Sequence, residues 1–522
     1  YSVGLIVIVL VGFGLRVWEL GNLNVLVEEQ FHFIAAKNLL INGSPNLFYT
    51  SSEYMGYITY YRTFLYTLLV SFSFLIFGIK EFSLRFPAVL ISSFTIILIY
   101  FLSKIILNKN YSLICSFIFS FLSWSIWYSR WARHYVFDGF VLILAIFIFF
   151  IFIKNINNKY SIYLLLIPII ISPWVEIGNY LYIIVITPLF LFFIKKEEII
   201  KLLKNLHFYI FTILSLLNLF LYLKFSSFSS LTDNNSNITF TLFSIISSFI
   251  KNLLPTNFNF YFINLLYIYY PILFVFMFLS FFLIFFLNKK KNKVLLFSFP
   301  IILIILSIYD PSKTWQLVQN WVFEPRHLSF VIPLYIIFCS LSIYYTTLYY
   351  KKLSIVIIMV TIFITIFSFS MYNINYGQNI SNTPYQVMVS ESYYTNIKEP
   401  VTLIFTNFKE NDVLIVDPME VLYRSYWDKE PNMRIGWPEE SSPANHLYDN
   451  SEKLYIYIEK EIVNGNRVWI IESSYNDINF HSRYRKGNIR NFLENRGINC
   501  IYYSKNFTNV YLFDKECFSH LS

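Results

Sequence analysis

Apolar stretches long enough to cross a membrane recur along the first 370 residues of the chain. A transmembrane helix needs about 20 apolar residues to span roughly 30 Å of hydrocarbon. Because no water in the bilayer satisfies exposed backbone groups, such stretches must be helical. The apolar runs lie at roughly 2–18, 84–104, 111–128, 137–153, 160–173, 180–194, 205–223, 260–288, 293–308, 328–348 and 353–371. They predict a polytopic α-helical membrane protein with about eleven transmembrane helices.

The charge content supports this class and divides the chain in two. Charged residues make up 14% of the 522 and hydrophobic residues 56%, whereas soluble domains are about a quarter charged. Soluble enzymes and disordered proteins are therefore excluded. Residues 1–370 hold 25 basic and 12 acidic side chains, a net charge of +13, whereas residues 371–522 hold 15 and 19, a net charge of −4. We predict a membrane domain over 1–375 and a soluble domain over 376–522.

Lysine clusters orient the membrane domain by the positive-inside rule. From residue 84 onward, two apolar runs separate each cluster from the next, so all the clusters can be cytoplasmic. Because the excess lysines lie at the ends of membrane helices, nucleic acid is not an expected partner. The clusters are Lys104 and Lys109; Lys154 and Lys159; Lys195, Lys196, Lys201 and Lys204; Lys289, Lys290, Lys291 and Lys293; Lys351 and Lys352. This arrangement predicts a plasma (inner) membrane protein with a cytoplasmic N-terminus and an extracytoplasmic C-terminal domain.

The same layout makes residues 19–83 the first extracytoplasmic loop. Its apolar part, 62–79, is then expected to lie along or dip into the membrane as a juxtamembrane helix. The alternative is that 62–79 crosses the membrane, which would reverse the orientation of the first segment.

Arginine is distributed differently from lysine. The first 370 residues contain six arginines, and the layout places five of them on the outer face: the six are Arg16, Arg62, Arg85, Arg130, Arg133 and Arg326. Arginine pairs with phosphate or carboxylate through two parallel hydrogen bonds, which lysine cannot do. Arginines collected from several loops predict an anion-binding site. The alternative is that they anchor helix ends or form structural ion pairs.

A few carboxylates accompany these arginines. Glu28 and Glu29 open a plausible helix that ends at Asn42-Gly43, and acids at a helix start are also favoured by the helix dipole alone. Asp138 heads an apolar run, where a charge is costly and marks function by default. The histidines His32, His134 and His327 share the outer face but lack the spacing of zinc ligands, so no zinc site is indicated.

Four segments resemble, in order, motifs of GT-C glycosyltransferases that use polyprenyl-phosphate-sugar donors. This class includes protein O-mannosyltransferases, lipid A aminoarabinose transferases and bacterial family-39 enzymes. The segments are the acidic pair Glu28-Glu29, LIFGIKEFSLRFPAVL around Glu81, Arg85 and Pro87, SRWARHYVFD around Arg130, Arg133 and Asp138, and EPRHLSFVIP with Arg326 and Pro333. The resemblance covers roughly residues 1–345. One departure is that Glu28 stands where relatives favour Asp.

The resemblance implies transfer of one sugar from a polyprenyl-phosphate donor to a hydroxyl of a protein, lipid or glycan, with inversion. Glu28 is the expected general base; alternatively Glu29 is the base, or the site is degenerate. The expected catalytic residues are Glu28, Glu29 and Asp138; the donor-phosphate ligands are Arg85, Arg130, Arg133, His134, Arg326 and His327; the substrate-binding residues are Tyr61, Arg62, Trp131 and Glu176. Because the leaving group is already a stable anion, neither a metal nor another cofactor is expected.

The C-terminal residues 376–522 predict a small α/β domain. DVLIVDP, RVWIIESS, NCIYYS and NVYLFDK are β-like runs, and the last two form a hairpin. SRYRKGNIRNFLENRG predicts a basic helix. Cys500 and Cys517 flank the hairpin on the oxidising side, where a disulfide can form. Cys115 and Cys339 lie in apolar runs and are expected to be inert.

Two other classes of function compete with the enzyme. A flippase or transporter of lipid-linked sugars would show repeated halves and charges near the membrane midplane, but no internal repeat is evident and the unusual charges gather at one face. A non-catalytic GT-C-like subunit of a membrane assembly is favoured only by the change from Asp to Glu28.

Overall fold

The computed structural model describes residues 2–22, 25, 29–50, 55–60, 63–175, 194, 196–227, 332–349, 359, 398–416, 433–435, 446–447, 451–473, 501–505, 508–514 and 516. The chain forms two compact units. The first comprises 1–20, 60–316 and 323–376, and the second comprises 21–59, 317–322 and 377–522. Residues 21–59, within the predicted first outer loop, thus belong to the same unit as the C-terminal residues.

The described residues form thirteen α-helices and eight strands. In chain order the helices are α1 (Ser2–Val17), α2 (Gln30–Asn42), α3 (Phe64–Phe77), α4 (Glu81–Ile106), α5 (Lys109–Phe121), α6 (Ser123–Ser129), α7 (Tyr135–Lys154), α8 (Leu166–Val175, preceded by a 3-10 turn at Ser161–Leu165), α9 (Lys196–Leu203), α10 (Leu206–Ser227), α11 (Ile332–Tyr349), α12 (Lys398–Asn407) and α13 (Ser451–Val463). The strands are β1 (Asn46–Thr50), β2 (Met55–Thr59), β3 (Val413–Val416), β4 (Met433–Ile435), β5 (His446–Leu447), β6 (Val468–Ser473), β7 (Ile501–Lys505) and β8 (Thr508–Phe513).

Helix α4 is at the centre of the first unit and packs against α1, α3, α5, α6, α7 and α11. It begins where the Ser83 hydroxyl accepts a hydrogen bond from the N–H of Lys80 and donates to the carbonyl of Gly78. It ends at Leu107, whose backbone is extended. Its 26 residues have a mean hydropathy of 2.2 in the most apolar window, which is long and apolar enough to cross a membrane.

Side-chain contacts show how the neighbouring helices run relative to α4. Arg16 near the end of α1 bonds to Ser92 of α4, and Ser116 of α5 bonds to the carbonyl of Ile96. Gly12, one turn before Arg16, lies against Ile96, one turn after Ser92, and only residues 107 and 108 separate α4 from α5. Both α1 and α5 therefore run antiparallel to α4. Phe101 and Phe147, near the ends of α4 and α7, have ring centroids 6.5 Å apart. Helix α7 is therefore parallel to α4.

Within the described residues, α4 and α7 are long and apolar enough to span a membrane, and α9 with α10 forms a third candidate bent by 73°. Helices α1 and α3 are shorter apolar helices. Helix α3 has 14 residues and is about 21 Å long at 1.5 Å per residue. Whether this segment lies along the membrane or crosses it stays a prediction.

The apolar run predicted at 111–128 is two helices rather than one. Leu122 has φ −66° and ψ 119°, which is extended backbone that ends α5 before α6 begins. No proline or glycine marks this break. The guanidinium of Arg16 in α1 donates to carbonyls at the end of α5. This contact lets a break form where hydropathy alone predicts a continuous helix.

The second unit contains a six-stranded sheet in the order β5-β4-β3-β6-β8-β7. Strands β3 to β6 pair in parallel, whereas β8 pairs antiparallel with β6 and β7. Helix α12 packs against β8 and α13 against β6. The four predicted strands and the predicted hairpin are present as β3, β6, β7 and β8. In the same unit, α2 packs against the β1–β2 hairpin.

Several predictions lie outside the described residues: the runs 260–288 and 293–308, most of 180–194 and 353–371, the helix at 482–497 and the disulfide between Cys500 and Cys517. Cys115 and Cys339 are buried and are not in a disulfide.

Candidate active site

Arg85 lies near the start of α4 and is almost completely buried, with 1% of its surface exposed. Its Nη1 donates a hydrogen bond of 3.1 Å to the carbonyl of Leu20, just beyond the end of α1. Glu81, one helical turn earlier in α4, is also buried. The E-x-x-x-R motif therefore turns both of its charged residues into the helix bundle and not towards solvent.

The segment 130–134 connects α6 to α7 and carries two of the predicted phosphate ligands. Its backbone is held by hydrogen bonds from the N–H of Arg130 to the carbonyl of Trp127 (2.9 Å) and from the N–H of Arg133 to the carbonyl of Trp131 (2.7 Å). Nε and Nη1 of Arg130 and Nε of Arg133 are buried atoms. The Arg133 guanidinium lies over the Tyr135 ring, 5.6 Å from its centroid, and such a contact stabilises a cation.

His134 and Asp138 face each other across the first turn of α7. The His134 Nε2 and Asp138 Oδ2 atoms are 3.7 Å apart, and both side chains are buried. This spacing of i and i+4 brings two residues to the same face of a helix. The predicted acid Asp138 is thus adjacent to a group that can be cationic, at the start of an apolar helix.

Trp131 is packed within a cluster of aromatic rings. Its ring is stacked 6.0 Å from that of Tyr128 and lies 5.7 Å from that of Tyr135. Only 6% of the residue is exposed, and its buried Nε1 has no hydrogen-bond acceptor among the described residues. The predicted stacking of Trp131 on sugar or prenyl competes with these existing ring contacts, which themselves stiffen the segment.

Helix packing gathers these residues at one end of the first unit. Helix α4 contacts both α6 and α7, so Arg85 and the segment 130–134 lie at the end where α4 and α7 begin. The lysines Lys104 and Lys154 lie in the last turns of the same two helices, at the opposite end. The end where α4 and α7 begin also carries Lys80, which directly precedes α4, so its cations outnumber the buried carboxylates Glu81 and Asp138.

Glu29 belongs to the second unit and directly precedes α2. It is fully buried and occupies the N-cap position, but its side chain makes no capping hydrogen bond. A capping hydrogen bond therefore does not explain this carboxylate, although the helix dipole still favours an acid at this position. Helix α2 ends as predicted at Gly43, which has φ 73° and donates its N–H to the carbonyl of Leu39. The other predicted site residues lie outside the described residues: Glu28, Tyr61, Arg62, Glu176, Arg326 and His327.

Sequence reasoning missed the network around Arg16. This residue has no exposed surface, and its guanidinium bonds to groups of α1, α4, α5 and α6. Two signals were available in the sequence: Gly12 stands four residues before Arg16, and serines recur every four residues at Ser112, Ser116 and Ser120. Small residues at this spacing are typical of close contacts between membrane helices.

Comparison with solved structures identifies the fold. The chain is similar to ArnT from Cupriavidus metallidurans bound to undecaprenyl phosphate, with a TM-score of 0.62, 9% identity and 98% of each chain covered. The apo state of the same ArnT gives 0.59 over 97% of each chain. Both are GT-C glycosyltransferases. The chain has the GT-C fold.

A second GT-C glycosyltransferase supports this assignment. It is the oligosaccharyltransferase AglB from Archaeoglobus fulgidus, in complex with an inhibitory peptide and a dolichol-phosphate, with a TM-score of 0.55 at 10% identity over 90% of this chain and 69% of that one. No family model and no curated protein matches the sequence. The resemblance predicted from the motifs is therefore confirmed as a likeness of fold.

Proposed function

We propose that the protein is an integral membrane glycosyltransferase that transfers one sugar from a polyprenyl-phosphate donor to an acceptor hydroxyl. The observation that carries the proposal is the GT-C fold, shared over nearly the full length with an enzyme bound to undecaprenyl phosphate. The buried, positively charged end formed by Arg85 and the segment 130–134 supports it. Charged groups within a membrane protein are costly and by default mark a functional site.

The donor phosphate is the anion that these cations would hold. Arg85, Arg130 and Arg133 would neutralise charge that develops on the oxygen of the leaving phosphate, which is the usual role of fixed cations in transfer reactions. His134, Arg326 and His327 complete the proposed set. Asp138 would orient His134 or the acceptor. The residues proposed to contact the sugar or the acceptor are Tyr61, Arg62, Trp131 and Glu176.

The general base is proposed to be Glu28, with Glu29 as the alternative. The carboxylate takes the proton of the acceptor hydroxyl as the oxygen attacks the anomeric carbon. The bond from that carbon to the phosphate oxygen breaks with its electrons moving to the phosphate, and the configuration inverts. No metal is needed to stabilise a phosphomonoester leaving group held by arginines.

The topology completes the proposal. Eleven transmembrane helices would place the N-terminus in the cytoplasm, and both the site and an α/β domain over 376–522 outside. The acceptor is a protein, lipid or glycan that reaches the site from that side. An inhibitory peptide bound to AglB makes a protein acceptor the first to try.

The test is transfer from a radiolabelled polyprenyl-phosphate sugar by the purified protein, in the presence and absence of EDTA. Glu28→Gln should abolish transfer with normal expression and folding, and Glu29→Gln is the matched variant that separates the two candidate bases. Transfer should persist in EDTA. Full activity of both variants would exclude the acidic pair as the base. Movement of the lipid across a bilayer without sugar transfer would identify a flippase. A protein that neither transfers the sugar nor moves the lipid would be a non-catalytic subunit.

A further inference from the structure

The side chain of Arg16 is fully enclosed by helices of the first unit. Nε donates to Ser92 Oγ at 2.8 Å, and Nη2 donates to Ser125 Oγ at 2.7 Å and to the carbonyl of Phe119 at 3.1 Å. Nη1 donates to the carbonyls of Gly12 at 2.8 Å and Ser120 at 3.0 Å. A guanidinium has five N–H donors. All five are therefore in use, and none is left for a phosphate.

Every acceptor of this guanidinium is a neutral oxygen. Three are backbone carbonyls and two are serine hydroxyls, and none is a carboxylate. A buried cation is stabilised without a counter-ion when fixed dipoles point at it. The C-terminal end of a helix provides this, because its carbonyls carry the negative end of the helix dipole.

The carbonyls of Phe119 and Ser120 need an outside donor because α5 stops at Phe121. A helix leaves its last four carbonyls without an intrahelical partner, and in a membrane each unsatisfied carbonyl is costly. Arg16 caps two of them from a different helix. The same guanidinium also bonds to Ser125 in α6, on the far side of the break at Leu122. One side chain thus bridges both halves of the broken helix.

We infer that Arg16 is a positioning residue that holds α6 and, through it, the segment 130–134. Helix α6 ends at Ser129, and the N–H of Arg130 still bonds back to the carbonyl of Trp127 in α6. A displacement of α6 is therefore transmitted to Arg130 and Arg133. The inference rests on the proposed function, because it assigns to Arg16 the placement of the phosphate-binding arginines without contact to the donor.

The experiment compares variants that remove single parts of this network in the full-length protein. Arg16→Met removes all five bonds, Arg16→Lys keeps the charge with fewer donors, and Ser125→Ala removes only the bond to α6. Ser93→Ala is the matched control, because its buried hydroxyl lies beside Ser92 on α4 but bonds to the carbonyl of Val89. The readouts are hydrogen exchange of amides 122–134 and affinity for undecaprenyl phosphate, both in detergent.

We expect Ser125→Ala to raise exchange of amides 122–134 roughly tenfold, as for a local opening, and to weaken undecaprenyl phosphate binding. Arg16→Met should weaken it by about 30-fold, near the upper end for a residue that acts on a site without contact to the ligand, with Arg16→Lys in between. Ser93→Ala should change neither readout. If Arg16→Met does not fold, Ser125→Ala carries the test alone.

Other outcomes separate this inference from the proposed function. The positioning role is overturned if hydrogen exchange of amides 122–134 is unchanged in folded Arg16→Met. If Arg16→Met does not fold, unchanged exchange in Ser125→Ala overturns it. Raised exchange with the affinity of the wild type also overturns it, since Arg16 would then contribute only to packing. If the wild type itself binds no undecaprenyl phosphate, the proposed function fails, and the positioning role fails with it even where exchange rises.

Discussion

The guanidinium groups of Arg16 and Arg467 are held by opposite kinds of acceptor. Arg16, inside the helix bundle, bonds only to neutral oxygens, whereas Arg467 in the C-terminal sheet forms a bidentate pair with Asp412, with Nε–Oδ1 at 3.0 Å and Nη2–Oδ2 at 2.6 Å. A carboxylate beside Arg16 would have to lose its own hydration in the membrane, which is expensive. Arg467 is partly exposed, so its pairing costs less desolvation.

Asp412 is the centre of a hydrogen-bond network that joins β3 to β6. Burial alone would raise the pKa of Asp412, but hydrogen bonds from Arg467, from the N–H of Lys409 and from Trp469 outweigh burial and lower it below 3.8. The bond to Asp412 likewise raises the pKa of Arg467. The charged pair is therefore the stable form in the folded sheet at neutral pH.

We predict that Asp412→Asn lowers the free energy of unfolding at pH 7 by about 1–3 kcal/mol, the usual cost of removing one partner of a buried hydrogen bond to a charged group. Because the folded pKa is depressed, this stabilisation is present above pH 3.8 and is lost as the pH falls through the folded value. Thermal unfolding in detergent should show the variant and the wild type converging in acid. Glu459→Gln, on an exposed position of α13, is the control, and a pH-independent gap would contradict the prediction.

The contact of α1 with α4 and α5 depends on Gly12. A Cβ atom there would lie 2.7 Å from Ile96 Cδ1 and 3.0 Å from Ser120 Oγ, whereas at Gly14 no heavy atom lies within 4 Å of the same position. The absence of a side chain lets α1 approach both helices closely enough for Arg16 to reach the end of α5. The glycine and the arginine, one turn apart, therefore act together.

We predict that Gly12→Val destabilises the protein more than Gly14→Val, by about 1–3 kcal/mol, the range for overpacking a tight interior. Both changes place the same β-branched residue in α1, so helix propensity cancels. Melting midpoints of the two purified variants in the same detergent measure the difference. Equal midpoints would mean that α1 shifts freely, and would remove close packing as the reason for the glycine.

The orientation of the chain that the lysine clusters predict is testable by labelling exposed positions. Asn157 follows Lys154 at the lysine end and is exposed, and Asn464 after α13 is exposed in the second unit. We predict that Asn464→Cys reacts with a membrane-impermeant maleimide in intact cells, whereas Asn157→Cys reacts only after permeabilisation. Each cysteine serves as control for the other. The reverse pattern would invert the proposed topology.

Part of this architecture was predictable because it depends on local patterns. Apolar runs predict α4 and α7, Gly43 predicts the end of α2, and β-branched and aromatic runs predict β3, β6, β7 and β8. The shared phosphate site of Arg85, Arg130 and Arg133, expected from motif order, stays a prediction. The helices α12 and α13 were missed, and so were the strands β4 and β5, which have only three and two residues.

The break at Leu122 and the cage around Arg16 could not be read from local patterns. Hydropathy is continuous through Leu122, and an arginine at a helix end looks the same whether it anchors at the interface or caps a neighbour. The difference is made by acceptors on Ser92, Ser120 and Ser125, which lie 76 to 109 residues away along the chain.

Hydropathy indicates that this chain is a membrane protein, and charge type predicts its orientation, because each residue's transfer energy and helix propensity act locally. The motifs add the GT-C resemblance. The packing of α1, α4, α5 and α6 alone reveals that Arg16 is not available to a ligand. Arg16 uses every donor within the fold, because the geometry of four helices supplies five oxygens at hydrogen-bonding distance, and no property of residue 16 itself specifies them.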